Sequence, residues 1–383
     1  MVDLPPGKSV VGSRWVFKVK TNSDGTIDMH KSCVVAQGYT QEYGIDYEET
    51  FSHVAHMVTV RTLIVVAAVR QWNLHRMGVK DAFLHGELQE EVYMQPPPGL
   101  PHAPNQVCKL HKPLYGLKKA PRAWFEKFSS AILEYGFTQS FYDPAMFTRS
   151  SAKGIVIFLL YVDDMVITGS DCEGIDNLKT YLSSCFQMKD LGFLSYFPGI
   201  EVRKPNNGYF VSQVKYASGI IQQAGITDTK IVDTPLEVNV RHSPTDGTLL
   251  SNPTMYRQLV GSLNYLTITR PDNSHAVHIV RQFMSAPRST HFAAVLRILW
   301  HLKGTLYQGL QFSSKSDLTL RAYSDSDWTG DVTDRRSITG YCVFWGDSFI
   351  SWRSKKQTIV SRSSAEAEYQ ALTHTTSEII WLR

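Results

Sequence analysis

Two carboxylates stand side by side at Asp163 and Asp164, in Tyr161-Val162-Asp163-Asp164, between the apolar runs Ile155 to Tyr161 and Met165 to Thr168. Adjacent acids at the tip of a hairpin repel one another, and a bound divalent cation is the usual relief. Mg²⁺ takes hard oxygen ligands and keeps several waters, with Mn²⁺ as a substitute. Two such acids, a third from a neighbouring strand and the phosphates of a substrate would suit phosphoryl transfer with two metals. A polar turn is the plain alternative for two acids in a loop, and the apolar strands on both sides favour the metal reading.

A second signal is electrostatic. From Asn105 to Phe128 the chain carries Lys109, Lys112, Lys118, Lys119, Arg122 and Lys127 against Glu126 alone, a local charge of +5 where the whole chain has +4. Interleaved with Tyr115, Trp124 and Phe125, these cations suit a phosphate backbone and stacked bases, with a solvated helix face as the alternative. A third signal pairs Asp325, at the end of a predicted strand, with Glu368 on a predicted helix, near Arg353, Lys355, Lys356 and Arg362. Taken singly, each is an ordinary exposed acid.

These residues need elements to hold them. Alternation over Trp15 to Lys20, a turn at Asn22 to Gly25 and an apolar run over Cys33 to Ala36 predict a hairpin. The spacing predicts a helix over 59–72 and a strand running into a turn over 74–83. Prolines at 96, 97, 98, 101 and 104 mark a loop, followed by a helix over 123–135. The Asp163-Asp164 hairpin comes next, then a helix over 178–186, a hairpin of 199–202 with 209–212, and a helix over 216–224. The segment 232–254 reads as a linker. Helices over 256–266 and 291–302 precede three strands (318–323, 337–345 and 349–352) and a final helix over 364–382.

Composition bounds the class. The chain has 383 residues, 43% hydrophobic and 19% charged, which suits two or three packed domains and excludes a disordered polyelectrolyte. The longest apolar stretch, Ile155 to Val162, is far short of the ~20 residues that span a bilayer. The N-terminus lacks the basic and apolar regions of a secretory signal, so an intracellular protein is expected. Five cysteines, with no CxxC pair, indicate neither a disulfide framework nor a zinc knuckle.

Set in order, these pieces resemble the reverse transcriptase of a Ty1/copia-type retrotransposon Pol polyprotein, continuing into its ribonuclease H domain. The resemblance covers almost the whole chain. It is carried by Trp15-Val-Phe-Lys-Val-Lys20, Asp46-Tyr-Glu-Glu-Thr-Phe51, Ala82-Phe-Leu-His-Gly86, Leu114-Tyr-Gly-Leu-Lys-Lys-Ala-Pro-Arg-Ala-Trp124, Leu160-Tyr-Val-Asp-Asp164, Met188-Lys-Asp-Leu-Gly192, Ser324-Asp325, Ile350 to Gln357 and Ser361 to Tyr369. It implies an α+β fold: a polymerase right hand with fingers and palm over 1–215, thumb and connection over 216–316, and a partial α/β ribonuclease H-like domain over 317–383. It implies RNA template, DNA primer and deoxynucleoside triphosphates as partners, and a cytoplasmic particle or the nucleus as location. Asp163 and Asp164 match the catalytic metal-binding pair, Phe83 the residue that checks the sugar 2′ position, and Lys118 a contact to template and nucleotide. Lys31 matches a fingers residue on the triphosphate, and Asp325 and Glu368 the remnant of the ribonuclease H site.

The departures are as specific. The family's palm strand reads Leu-Asp-Val-Lys, whereas this chain has Met77-Gly78-Val79-Lys80, so a glycine stands at the first catalytic aspartate. Strand geometry puts Asp81 about 10 Å further on and on the opposite face, a poor substitute. Lys31-Ser32-Cys33 stands where the family has Lys-Ala-Arg, losing a bidentate phosphate contact. Pro198 replaces a leucine beside a strand and is expected to interrupt pairing. A late start, and an end at Arg383 after the first helix of the ribonuclease H fold, suggest a decayed copy. The expectation is a polymerase by descent, catalytically defective, with a non-catalytic nucleic-acid binder or inert relic as the alternative and a stand-alone ribonuclease H ranked last.

Overall fold

The computed structural model describes residues 1–21, 26–237, 240 and 242–383, and the predicted turn at Asn22 to Gly25 lies outside them. These residues form two compact units, Met1–Ala55 with His75–Gly192, and His56–Leu74 with Phe193–Arg383.

In the first unit a six-stranded sheet runs in the order Met188–Phe193, His75–Val79, Asp164–Gly169, Gly154–Tyr161, Met146–Ser151, Thr138–Gln139. Strand Asp164–Gly169 is antiparallel to both neighbours, with Asp164 opposite Gly78 on one side and Tyr161 on the other. Alternation sorts the side chains by face. Met77, Val79, Met165 and Ile167 enter the core, where they meet Trp124, Phe128 and Ile132 of helix Ala120–Glu134 and Ile175, Leu178 and Leu182 of helix Cys172–Cys185. Arg76, Gly78 and Asp164 are left partly exposed.

Both helices begin earlier than their apolar spacing predicts. Pro121 sits in the first turn of Ala120–Glu134, where its missing N–H costs nothing. Asp171 caps Cys172–Cys185 by accepting the Gly174 amide at 2.8 Å, so the helix extends over a polar first turn that carries no apolar period. Strands Ser13–Thr21 and Ile27–Ala36 form the predicted hairpin. A small sheet of Val2–Asp3, Gln106–Leu110 and Val92–Met94 completes the unit, with strands too short to announce themselves.

The second unit gathers helix Met57–Val69 with everything from Phe193 onward. A four-stranded sheet orders Tyr196–Phe197, Ile200–Arg203, Gly208–Ser212 and Leu310–Ser313. Pro198 does not interrupt it: Pro198 and Gly199, the latter at φ +72°, form the turn between the first two strands, positions that need no ladder donor and favour this pair. Helices Val214–Gln223, Thr254–Leu266, Ser274–Arg281 and Ser289–Gly304 surround a core of Tyr256, Leu259, Leu263, Val295, Ile298 and Leu302. Among its described residues the expected linker carries no helix or strand before Thr254, yet it is fastened to this core: Leu250 N–H donates to Pro287 O, and Leu236 and Leu250 pack on the apolar cluster. Strands Leu320–Ser326, Ile338–Trp345 and Ser348–Lys356 form a meander, followed by helix Ser364–Leu382. Among the described residues no helix is long and apolar enough to cross a membrane, and all five cysteines are free.

Candidate functional site

The acidic pair sits on a two-residue turn, Val162-Asp163, closing the hairpin between Tyr161 and Asp164. Val162 has φ +58°, a conformation that a β-branched residue adopts only under constraint. The constraint is visible. The indole of Trp124 donates to Val162 O at 2.7 Å, and the amide of Val79 donates to Asp163 O at 2.9 Å. Trp124 is therefore a buried brace for the turn rather than a platform for bases, since its face of the helix packs into the core at 1% exposure. Phe125, at 8%, is also turned inward.

The two acids have different surroundings. The Asp163 carboxyl is raised above the ordinary carboxylate range, first by loss of solvent and then by the charge of Asp164, while Arg76 and Lys31 pull the other way. Asp164 is held by Arg76, whose Nη2 and Nε donate to the same Oδ1 at 2.6 and 2.9 Å. Lys31 lies on strand Ile27–Ala36 opposite Lys18, and its charge acts weakly on Asp163, lowering its carboxyl. Phe83 lies in the short helix Ala82–His85 and packs on Tyr115 with ring centroids 4.5 Å apart. The Tyr115 hydroxyl is raised by burial and then by the charges of Asp163, Asp81 and Cys33. The strand ends at Val79 and Asp81 turns into the left-handed region at φ +52°, so strand geometry does not fix its place, but it forms no three-acid cluster with Asp163 and Asp164.

At position 78 there is space but no acid. A Cβ there would meet Leu191 Cδ1 at 3.6 Å and Asp163 O at 3.9 Å, ordinary contacts. Among the described residues no three His, Cys, Asp or Glu side chains converge to hold a metal ion. The residues present therefore do not fit a divalent-metal site: the third acid is absent and Asp164 already has a cation.

The basic segment is largely compensated by acids. Glutamates from outside it pair with Lys109 (Glu91, 2.7 Å), Lys119 (Glu90, 3.1 Å) and Lys127 (Glu87, 2.7 Å), and Arg122 pairs with the segment's own Glu126 at 2.8 Å. Lys112 and Lys118 are exposed, and neither forms an ion pair among the described residues. The Lys118 amide donates to Gln41 Oε1 at 2.9 Å, which fixes the loop that carries it.

In the second unit, the amide of Ser326, the residue after Asp325, donates to Glu368 Oε1 at 3.4 Å. Below them Gln357 is buried, donating to Ser326 Oγ, Thr339 Oγ1 and Ala367 O and accepting from Ser361 Oγ. One side chain thereby ties the meander to the final helix.

The model of the family described as reverse transcriptase (RNA-dependent DNA polymerase) matches residues 1–238. The chain belongs to the reverse transcriptase family. Over 100% of its length it is 44% identical to the retrovirus-related Pol polyprotein from transposon RE1 of Arabidopsis thaliana, covering 26% of that protein. It is 40% identical to the corresponding polyprotein from transposon TNT 1-94 of Nicotiana tabacum, covering 100% of this chain and 30% of that one. Over 79% of this chain it is 30% identical to the whole of the putative transposon Ty5-1 protein YCL074W of Saccharomyces cerevisiae. The chain spans about a quarter of the length of the Pol polyproteins from transposons RE1 and RE2. It is the reverse transcriptase region of a copia-type retrotransposon Pol polyprotein, and its mixed α/β fold is consistent with such a domain. Reverse transcriptases are generally dependent on divalent metals.

Arg76 and the acids at 87, 90 and 91 are absent from the sequence reading. Tyr115 enters it only as an aromatic of the basic segment, whereas the structure stacks it on Phe83. Arg76 and the glutamates carry no local signal and become visible only through pairing.

Proposed function

We propose that this chain is an RNA-directed DNA polymerase by descent whose polymerase site is inactive as it stands. The inherited reaction is attack of a primer 3′-hydroxyl on a nucleotide α-phosphate, with RNA as template and deoxynucleoside triphosphates as substrates. Mg²⁺, or Mn²⁺ in its place, is the cation an intact site of this kind would use. The reading is carried by one observation: Gly78 faces Asp164 where a third carboxylate is needed, and Asp164 is paired with Arg76 instead. Each tenfold in rate corresponds to about 1.4 kcal/mol at the transition state, so losing one ligand of several kcal/mol brings a polymerase near silence. In the same reading Lys31, Phe83 and Lys118 face the nucleotide, and the loss of arginine at Cys33 weakens its phosphate contacts.

The parts assigned by descent are fingers and palm over 1–215, thumb and connection over 216–316, and a ribonuclease H-like portion over 317–383 with Asp325 and Glu368 as its acids. A cytoplasmic retrotransposon particle or the nucleus is the proposed location. Primer extension on an RNA template with Mg²⁺ or Mn²⁺ tests the central reading. No extension is expected, and extension by the unaltered chain would refute it.

A second reading, a nucleic-acid binder without catalysis, is favoured by the exposure of Lys31, Lys112 and Lys118. Its affinity for a primer–template must fall as salt rises. Cleavage of an RNA–DNA hybrid that vanished in Asp325→Ala would instead support the ribonuclease H reading.

A further inference from the structure

We propose that the guanidinium of Arg76 occupies the place of a divalent cation at the Asp163–Asp164 turn, so that this site is closed by an internal ion pair as well as deprived of its third acid. The inference rests on reading these two aspartates as the inherited cation site.

The sheet brings the pair together. Arg76 and Gly78 lie two residues apart on strand His75–Val79, and therefore on one face, away from the core that takes Met77 and Val79. The register sets Gly78 across from Asp164 and Arg76 across from Val166. From that diagonal position a long side chain reaches back over the space above the glycine, and both Nε and Nη2 arrive at Asp164 Oδ1. The side chains are 21% and 16% exposed, so solvent screens the contact only in part. A guanidinium keeps its charge at any ordinary pH. Unlike a metal ion, it cannot be removed by a chelator.

This has a consequence for repair. A Cβ at position 78 finds ordinary contacts, so aspartate fits there. A carboxylate so placed stands on the same face as Arg76, two residues away, and offers the guanidinium a second acid. Gly78→Asp therefore tightens the ion pair instead of opening the site. Cation binding returns only when the acid is restored and the arginine removed together.

The test is Mn²⁺ titration followed by electron paramagnetic resonance on the full chain, with thermal melts in chelator and in Mn²⁺. Four proteins are compared: unaltered, Gly78→Asp, Arg76→Gln, and the double variant. Gly78→Asp is expected to melt higher than the unaltered chain and to ignore Mn²⁺. The double variant is expected to bind Mn²⁺ at least about tenfold more tightly than Gly78→Asp and to gain melting temperature from it. Asp164→Asn added to the double variant is expected to abolish that binding.

Equal Mn²⁺ affinity of Gly78→Asp and the double variant would overturn the proposal. So would a folded double variant without Mn²⁺ affinity, or one whose binding survives Asp164→Asn. Arg76→Met, which keeps the packing and drops the charge, serves if Arg76→Gln does not fold. Primer extension by the unaltered chain would end the inactive-polymerase reading, whereas the ion-pair lock is decided by Mn²⁺ affinity among the variants.

Discussion

Asp163 carries a charge that its surroundings disfavour. Desolvation and the neighbouring Asp164 raise its carboxyl above the ordinary value. For an acid raised on folding, the folded chain binds the proton more tightly than the unfolded chain, so ionisation at neutral pH works against the fold. Asp163→Asn is expected to raise the melting temperature at pH 7. The gain should shrink as pH falls through the carboxylate range, which melts at stepped pH would show. At this scale the acidic pair and Gly78 were legible because they are local in sequence or sit in a recognisable motif. Arg76 was not, because its partner is 88 residues away. The same holds for the lysines of the basic segment, whose charge counted in sequence as free although glutamates from residues 87 to 91 take up most of it.

Among the elements, the hairpin that carries Asp163 depends on helix Ala120–Glu134 through a single indole N–H. Trp124→Phe leaves Val162 O without its donor and removes part of a fully packed ring. The expected cost is about 2–3 kcal/mol in denaturant unfolding, from a buried acceptor left unpaired and the void beside it. Helix Met57–Val69 makes a comparable demand on Arg61. Its Nε donates to Ile350 O at 2.7 Å and its Nη1 to Ile268 O at 2.9 Å, and its guanidinium stacks on Trp352 at 4.1 Å. Burial pushes its pKa down to about 9. Arg61→Met should cost roughly 2–4 kcal/mol by orphaning two buried carbonyls, measured in the same way. The final helix, Ser364–Leu382, is readable end to end because Ser363 caps it, accepting the Glu366 amide, and a long run of helix formers follows. Ser274–Arg281 was missed: eight residues hold two turns, too few for a period to stand out.

For the molecule as a whole, acid should be the weak side. His278 is lowered to about 4 from 6.5, chiefly by burial and then by His275, Arg281 and Lys356. Between those values the unfolded chain takes up a proton that the folded chain refuses, so stability falls as pH drops from about 6.5 towards about 4. The loss from this group is on the order of 2 kcal/mol after allowing for its partial exposure. His278→Gln should flatten the pH profile of melting across that window. If the chain binds a primer–template through Lys31, Lys112 and Lys118, log affinity against log salt should slope at about −2 to −3, for two or three phosphates neutralised. A slope near that of all six cations of the basic segment would mean that their ion pairs open on binding.

The bond from Arg61 to Ile350 spans 289 residues. A ribosome releases helix Met57–Val69 early, a segment rich in valine, isoleucine and leucine, and the strand that completes its pocket emerges only near the end of synthesis. Until then strands Gly208–Ser212 and Leu310–Ser313 cover the helix only in part, and the nascent chain carries a sticky, unfinished surface through most of its translation. Chaperone demand and yield in the cell should therefore track elongation speed over residues 70–350. A version ending before Ile350 should aggregate although every residue around Asp163 is already made.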